Sequence, residues 1–108
     1  MWRIVMKKIK IRAKSREGIC DVRVLIKHPM ETGLRKDKKT GKNIPAHFID
    51  EVTINHNGEL VMTAYWSGAI SKNPYLQEEL KDVQPGDTIT VSWHDNLGNT
   101  DSKSEKVR

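Results

Sequence analysis

The sequence predicts an all-β protein in which two antiparallel sheets pack face to face, and three observations carry that reading. Short segments alternate apolar and polar residues with a period of two, so each has one dry face and one wet face. Glycine, proline and asparagine turn signals separate these segments. The chain has 108 residues, enough for one domain with a two-layer core and little more.

The elements follow in order. Ile9, Ile11 and Ala13 alternate with Lys8, Lys10, Arg12 and Lys14, and Glu17-Gly18 ends this first strand. Asp21 to Ile26 is rich in β-branched residues and reads as a second strand. His28 to Ala46 is different: Pro29, Gly33, Gly41 and Pro45 break it, and few apolar residues punctuate it. It reads as a long loop or an extended, mobile hairpin, and connections of this length in compact domains usually carry function. Phe48 to Asn55 resumes a strand, Asn57-Gly58 suits a type I′ turn, and Glu59 to Trp66 returns. A second loop runs through Ser67-Gly68 and Ser71-Lys72-Asn73-Pro74. Tyr75 to Val83 fits a short helix or a strand, and its β neighbours favour the strand. After the turn Gln84-Pro85-Gly86-Asp87, Thr88 to His94 points Ile89, Val91 and Trp93 inward. Asp95-Asn96-Leu97-Gly98 turns again, and Asn99 to Arg108 is so polar that it makes at best an edge strand. About seven short strands with this spacing fit a sandwich of the immunoglobulin or fibronectin kind.

Composition narrows the function. Hydrophobic residues make up 36% of the chain. Counting glycine, the apolar share is about 42%, below the roughly 45–50% of an average globular domain. The core is therefore thin, which suits a subunit that completes its burial against a partner or self-associates when isolated. The net charge is +5, but residues 1–42 hold 14 lysines and arginines against 4 acidic residues, whereas residues 43–108 hold 5 against 10. A basic block of this kind points to an anionic partner surface or to a solvated lysine-rich face. No apolar run approaches the ~20 residues of a membrane span, and no ordinary secretory signal is visible at the N-terminus. Met6 offers a second start, which would make Met1–Val5 an upstream extension.

Several chemistries find little support. Cys20 is the single cysteine, so an intramolecular disulfide is impossible, and Asp21 beside it would raise a thiol pKa rather than activate it. The histidines, His28, His47, His56 and His94, lack the close spacing of a zinc motif, so no metal and no cofactor is expected. The aromatic residues fall mostly outside the basic block, which argues against nucleic acid. No catalytic residue set is legible, and the chain reads as a binding module rather than an enzyme.

The informative stretch is the loop with its flanks. It carries His28, Pro29, Met30, Glu31 and Arg35, then Lys36, Lys38, Lys39 and Lys42, then Ile44-Pro45-Ala46-His47-Phe48, with Asn73-Pro74 downstream. Met30, Phe48 and two histidines around prolines suit an interaction surface better than a loop facing water. The expected docking residues are His28, Met30, Glu31, Arg35, Lys36, Lys38, Lys39, His47, Phe48, Asn73 and Pro74.

On His-Pro-Met-Glu-Thr-Gly-x-Arg at His28–Arg35 and Ile-Pro-Ala-His-Phe-Ile at Ile44–Ile49, the chain resembles the SoxZ family of bacterial thiosulfate oxidation. His56-Asn57-Gly58, Lys72-Asn73-Pro74 and Pro85-Gly86-Asp87 follow in the family's order, and the resemblance runs from about Lys7 to about Gly98. It implies an immunoglobulin-like sandwich over residues 1–108 and a heterodimer with a SoxY-like subunit. The C-terminal Gly-Gly-Cys-Gly-Gly arm of that subunit carries the sulfur intermediates, and the pathway's other enzymes make transient contacts. It also implies export to the periplasm with the partner, without a signal of this chain's own. The alternative is a stand-alone immunoglobulin-like interaction domain. Residues 1–6 precede the resemblance and 100–108 are almost wholly polar, so both are expected to be the least ordered parts.

Overall fold

The computed structural model describes residues 9–108, so the N-terminal extension and the question of its start lie outside the described residues. Seven strands form two antiparallel sheets, with no helix among the described residues: β1 (Ile9–Arg16), β2 (Ile19–Ile26), β3 (Ile49–His56), β4 (Glu59–Tyr65), β5 (Tyr75–Lys81), β6 (Thr88–Asp95) and β7 (Thr100–Lys106). One sheet has the order β1-β2-β5 and the other β4-β3-β6-β7. This is the strand distribution of an immunoglobulin- or fibronectin-like sandwich.

Side-chain alternation explains the layers. Val22, Val24 and Ile26 of β2 face Val52 and Ile54 of β3 and Ile89, Val91 and Trp93 of β6 across the core. The largest fully buried side chains are isoleucines and valines, so the interior is built of small branched residues. Each contributes about 1.5–3 kcal/mol on burial. Cys20 sits in this core, fully buried.

Tight turns set the register. Glu17 and Gly18 (φ 54° and 80°) close β1 on β2, and Asn57 and Gly58 (φ 49° and 86°) close β3 on β4. The second hairpin carries a β-bulge that the alternation did not announce: Ile54 opposes Met62 but Asn55 opposes Leu60, leaving Val61 as the extra residue. The ambiguous segment at Tyr75 is strand β5, paired along its length to β2.

The polar C-terminal segment, for which composition argued poor order, is strand β7, paired with β6 from Thr88↔Lys106 to His94↔Thr100. It is an edge strand, so only one side needs to be apolar or paired. Its order comes from the ladder, from buried Val107, and from Arg108, whose N–H donates to the Ala13 carbonyl (3.0 Å).

The 28–47 stretch is an extended finger. Glu31 bridges to His47 and Lys36 to Asn43. The strands come so close that a Cβ on Gly33 (φ 88°) would meet the Ala46 Cβ at 3.2 Å. Only glycine suits both demands.

Candidate functional site

The base of the finger is fastened by two asparagines. Asn73 accepts the His28 N–H on Oδ1 (3.0 Å) and donates its own N–H to the His28 carbonyl (3.0 Å). Asn96 does the same for Phe48: its Oδ1 accepts the Phe48 N–H (2.8 Å), its N–H donates to the Phe48 carbonyl (3.0 Å), and its amide donates to the Ala46 carbonyl (3.0 Å). These clamps explain why His-Pro, Ile-Pro-Ala-His-Phe and Asn-Pro occur together. Each motif supplies one end of a loop that the sandwich must hold.

Between the clamps lies Asp95, fully buried at the end of β6. Its Oδ2 accepts from His47 Nε2 (2.7 Å), His28 Nε2 (3.1 Å) and the Asn99 amide (3.1 Å). Its Oδ1 accepts the N–H groups of Asn99 (2.8 Å) and Leu97 (3.1 Å). Burial works to raise the Asp95 pKa. The hydrogen bonds from His28, Asn99 and His47 outweigh it and hold the carboxyl well below the usual carboxylate range. The two imidazoles meet edge to face at 4.5 Å between centroids, and His28 meets Trp93 likewise at 5.3 Å.

His28, His47 and Asp95 offer three ligand atoms within 4.8 Å of one another. The hydrogen bonds argue for a proton-bearing network instead of a metal centre. The Met30 N–H donates to His28 Nδ1 (3.1 Å), which keeps that nitrogen unprotonated and places the ring's proton on Nε2, facing Asp95. A metal on Nε2 would need the proton on Nδ1, against the Met30 N–H.

The expected docking residues fall into two groups. His28, Met30 and Pro74 are buried, and Met30 packs into the core with its sulfur accepting the Ile49 N–H (3.3 Å). His47 and Phe48 are half-buried beside them. These residues shape the base of the finger, which accounts for the apolar and histidine content of the loop. Asn73 is exposed at the clamp. Arg35, Lys36, Lys38 and Lys39 are exposed along the finger, with Lys42 and with Leu34 at 80% exposure. Glu31 is half-buried and forms a two-pronged ion pair with Arg35, whose hydrogen bond lowers the Glu31 pKa.

All four histidines pair with aspartates, His56 with Asp87 (2.7 Å) and His94 with Asp50 (2.8 Å) besides the two on Asp95. Asp87 is held down to about 2 by the Gln84 N–H first and by His56 next. Sequence reasoning missed Asp95, which it took only for a turn residue. The alternation that puts Ile89, Val91 and Trp93 inward continues to 95, so a carboxylate in core register was the available signal.

The one thiol is closed off. Cys20 is fully buried, and burial first, then the Asp21 carboxylate, raises its pKa.

A family model described as sulphur oxidation protein SoxZ matches residues 8–106. No curated protein matches the chain. With the sandwich, the clamped finger and a match over nearly its whole length, this chain belongs to the SoxZ family and has a role in sulfur oxidation.

Proposed function

We propose that the chain is the non-catalytic subunit of a heterodimeric sulfur carrier. Its partner is a SoxY-like protein whose C-terminal Gly-Gly-Cys-Gly-Gly arm holds the sulfur intermediates. The observation that carries this reading is the state of Cys20. A member of a sulfur-oxidation family whose single thiol is fully buried, with a raised pKa, has no accessible thiolate to carry sulfur, so the carrier group must come from elsewhere.

A surface for the partner is at hand in β4. It is an edge strand with an open row of backbone groups, and Leu60, Val61 and Tyr65 are exposed on it at 57%, 42% and 79%. An apolar, unpaired edge of this kind favours pairing with another chain. The finger, with its lysines, serves transient encounters with the enzymes of the pathway. The pair works in the periplasm, exported on the partner's signal.

Co-purification tests the reading. Tagged chain from its own cells is expected to retain a protein ending in Gly-Gly-Cys-Gly-Gly, and Leu60→Asp with Tyr65→Asp is expected to release it while the chain stays folded. A tagged chain that retains no such protein would leave the stand-alone interaction domain as the better account.

A further inference from the structure

The basic block of the N-terminal half takes a definite form in β1. Lys10, Arg12, Lys14 and Arg16 are exposed, while Ile9 and Ala13 on the other face are buried, so every outward position of the strand is a cation. Alternate strand positions lie about 6.8 Å apart, which makes a ladder of four charges about 20 Å long. None of the four forms a salt bridge among the described residues. Asp21 stands directly opposite Lys14, but its carboxylate pairs with Arg23 (2.9 Å) and accepts from the Gln77 amide (3.0 Å).

Register extends the ladder into a face, because directly opposite residues of an antiparallel pair point the same way. Lys10 shares a row with Leu25 and Tyr75, Arg12 with Arg23 and Gln77, Lys14 with Asp21 and Glu79, and Arg16 with Ile19 and Lys81. Six of these residues are cations and two are carboxylates. Leu25 and Tyr75 stand side by side at one end, 39% and 56% exposed. From this apolar pair a groove of about 550 Å³ continues to β7, where Lys103, Lys106 and Arg108 line it against one acidic residue, Glu105. Charges on an edge strand also discourage unwanted pairing, but that purpose does not call for Leu25 and Tyr75 to stay in water beside them. An exposed apolar pair rimmed by charge is the anatomy of a docking surface.

We infer that the outer face of β1-β2-β5 docks an acidic protein surface, with residues other than those of the β4 edge and of the finger. The partner's carboxylates follow the β1 ladder, and an apolar side chain meets Leu25 and Tyr75. A protein suits this face better than a membrane does. Asp21 and Glu79 interrupt the positive field beside Lys14, and such a pattern selects a partner with matching charges. A phospholipid surface is anionic throughout and is repelled by those two carboxylates. The face is read from its own residues. Only the choice of pathway enzymes as probes rests on the sulfur-oxidation role.

The test measures binding of the full chain to each purified enzyme of the thiosulfate-oxidising pathway, by biolayer interferometry at low and at high salt. If the isolated chain self-associates, the co-purified complex replaces it. Lys10→Glu with Arg12→Glu and Lys14→Glu reverses the ladder. The same three positions changed to Gln provide a milder variant should the reversal disturb the fold, which circular dichroism reads. At least one enzyme is expected to bind the reversed chain about tenfold more weakly at low salt, and the Gln variant about threefold, with both losses shrinking at high salt. Leu25→Ser with Tyr75→Ser is expected to weaken the same enzyme about tenfold at both salt concentrations, because an apolar anchor is not screened. Vesicles of phosphatidylglycerol are the second probe. Binding to them that falls with the ladder variants, while no enzyme responds, gives the face to a membrane and overturns the inference. It is also overturned if no enzyme binds, if the folded ladder variants keep full affinity, or if the Leu25 and Tyr75 variant does. The carrier partner is expected to stay bound in every variant, and its loss would assign the face to the heterodimer instead. A chain that co-purifies with no carrier partner leaves the enzyme measurements in place, so the two readings fail separately.

Discussion

Asp95 concentrates more of the fold's polar chemistry than any other described residue. Five donors from the finger and the following turn converge on its carboxylate, so one side chain fixes the positions of His28, His47 and the 95–99 turn together. Asp95→Asn keeps the shape but sets an amide donor against two histidine donors. It is expected to lower stability by roughly 1–3 kcal/mol, the range for leaving a buried polar group unsatisfied, read from urea denaturation. The sign of the pH dependence follows from the lowered pKa. The ionised form is stabilised by folding, so its contribution is complete above the unfolded carboxylate pKa of about 4 and is lost as pH falls toward the folded value. Wild-type stability should therefore drop below about pH 4 more steeply than that of Asp95→Asn. Two curves of equal slope would show that the network does not hold the carboxylate ionised. Cys20 provides the second test at this scale. Cys20→Ser places a hydroxyl in the apolar core and is expected to cost about 1–2 kcal/mol. Sulfur turnover in a reconstituted pathway should stay near the wild-type value, and loss of most turnover with the fold intact would give this thiol a chemical role.

The finger and the edge strands set the behaviour at the scale of elements. The clamps at Asn73 and Asn96 hold the finger's base, while Lys36, Lys38, Lys39 and Lys42 stay in water. Exposed charges of this kind add little to stability but act on encounter rates, and salt screens them. Reversing Lys36, Lys38 and Lys39 to Glu is expected to slow association with at least one pathway enzyme several-fold at low salt, with the difference shrinking at high salt. Heterodimer assembly should survive, because the apolar edge at β4 lies on another part of the sandwich. Stopped-flow association rates that do not change at low ionic strength with any enzyme of the pathway would reduce the lysines to solubility. β7 shows a different economy: a strand with almost no apolar residues is ordered by its ladder to β6 and by Val107.

The whole molecule is a sandwich with a core of valine and isoleucine and with several large apolar side chains left outside, among them Leu34, Leu60, Tyr65, Tyr75 and Leu97. A thin interior beside exposed apolar surface is the profile of a chain that gains stability on association. The isolated chain is therefore expected to melt at a lower temperature than the complex or to self-associate, and the heterodimer interface is expected to bury at least the ~1,600 Å² of a standard complex. A monodisperse monomer whose melting temperature ignores the partner would contradict this.

Alternation at Ile9–Ala13, Val22–Ile26, Val52–Ile54 and Ile89–Trp93 made the strands and their inward faces legible, because a period of two has only one meaning on a half-buried sheet. Asn57-Gly58 specified its turn for an equally local reason, and the His-Pro-Met-Glu-Thr-Gly and Ile-Pro-Ala-His-Phe-Ile runs carried the family. The sequence by itself therefore determined the all-β class, the apolar strands and the membership. What it left open depends on partners far apart in the chain. Whether His28 and Met30 face water or core was decided by Asp95 and Ile49, 67 and 19 residues away. The ordering of Thr100–Lys106 was decided by β6, and the buried Trp93 indole N–H, without an acceptor among the described residues, emerged only once its neighbours were in place. Hydrogen-bond satisfaction of a buried group is a property of everything that surrounds it, and tertiary structure alone brings those surroundings together.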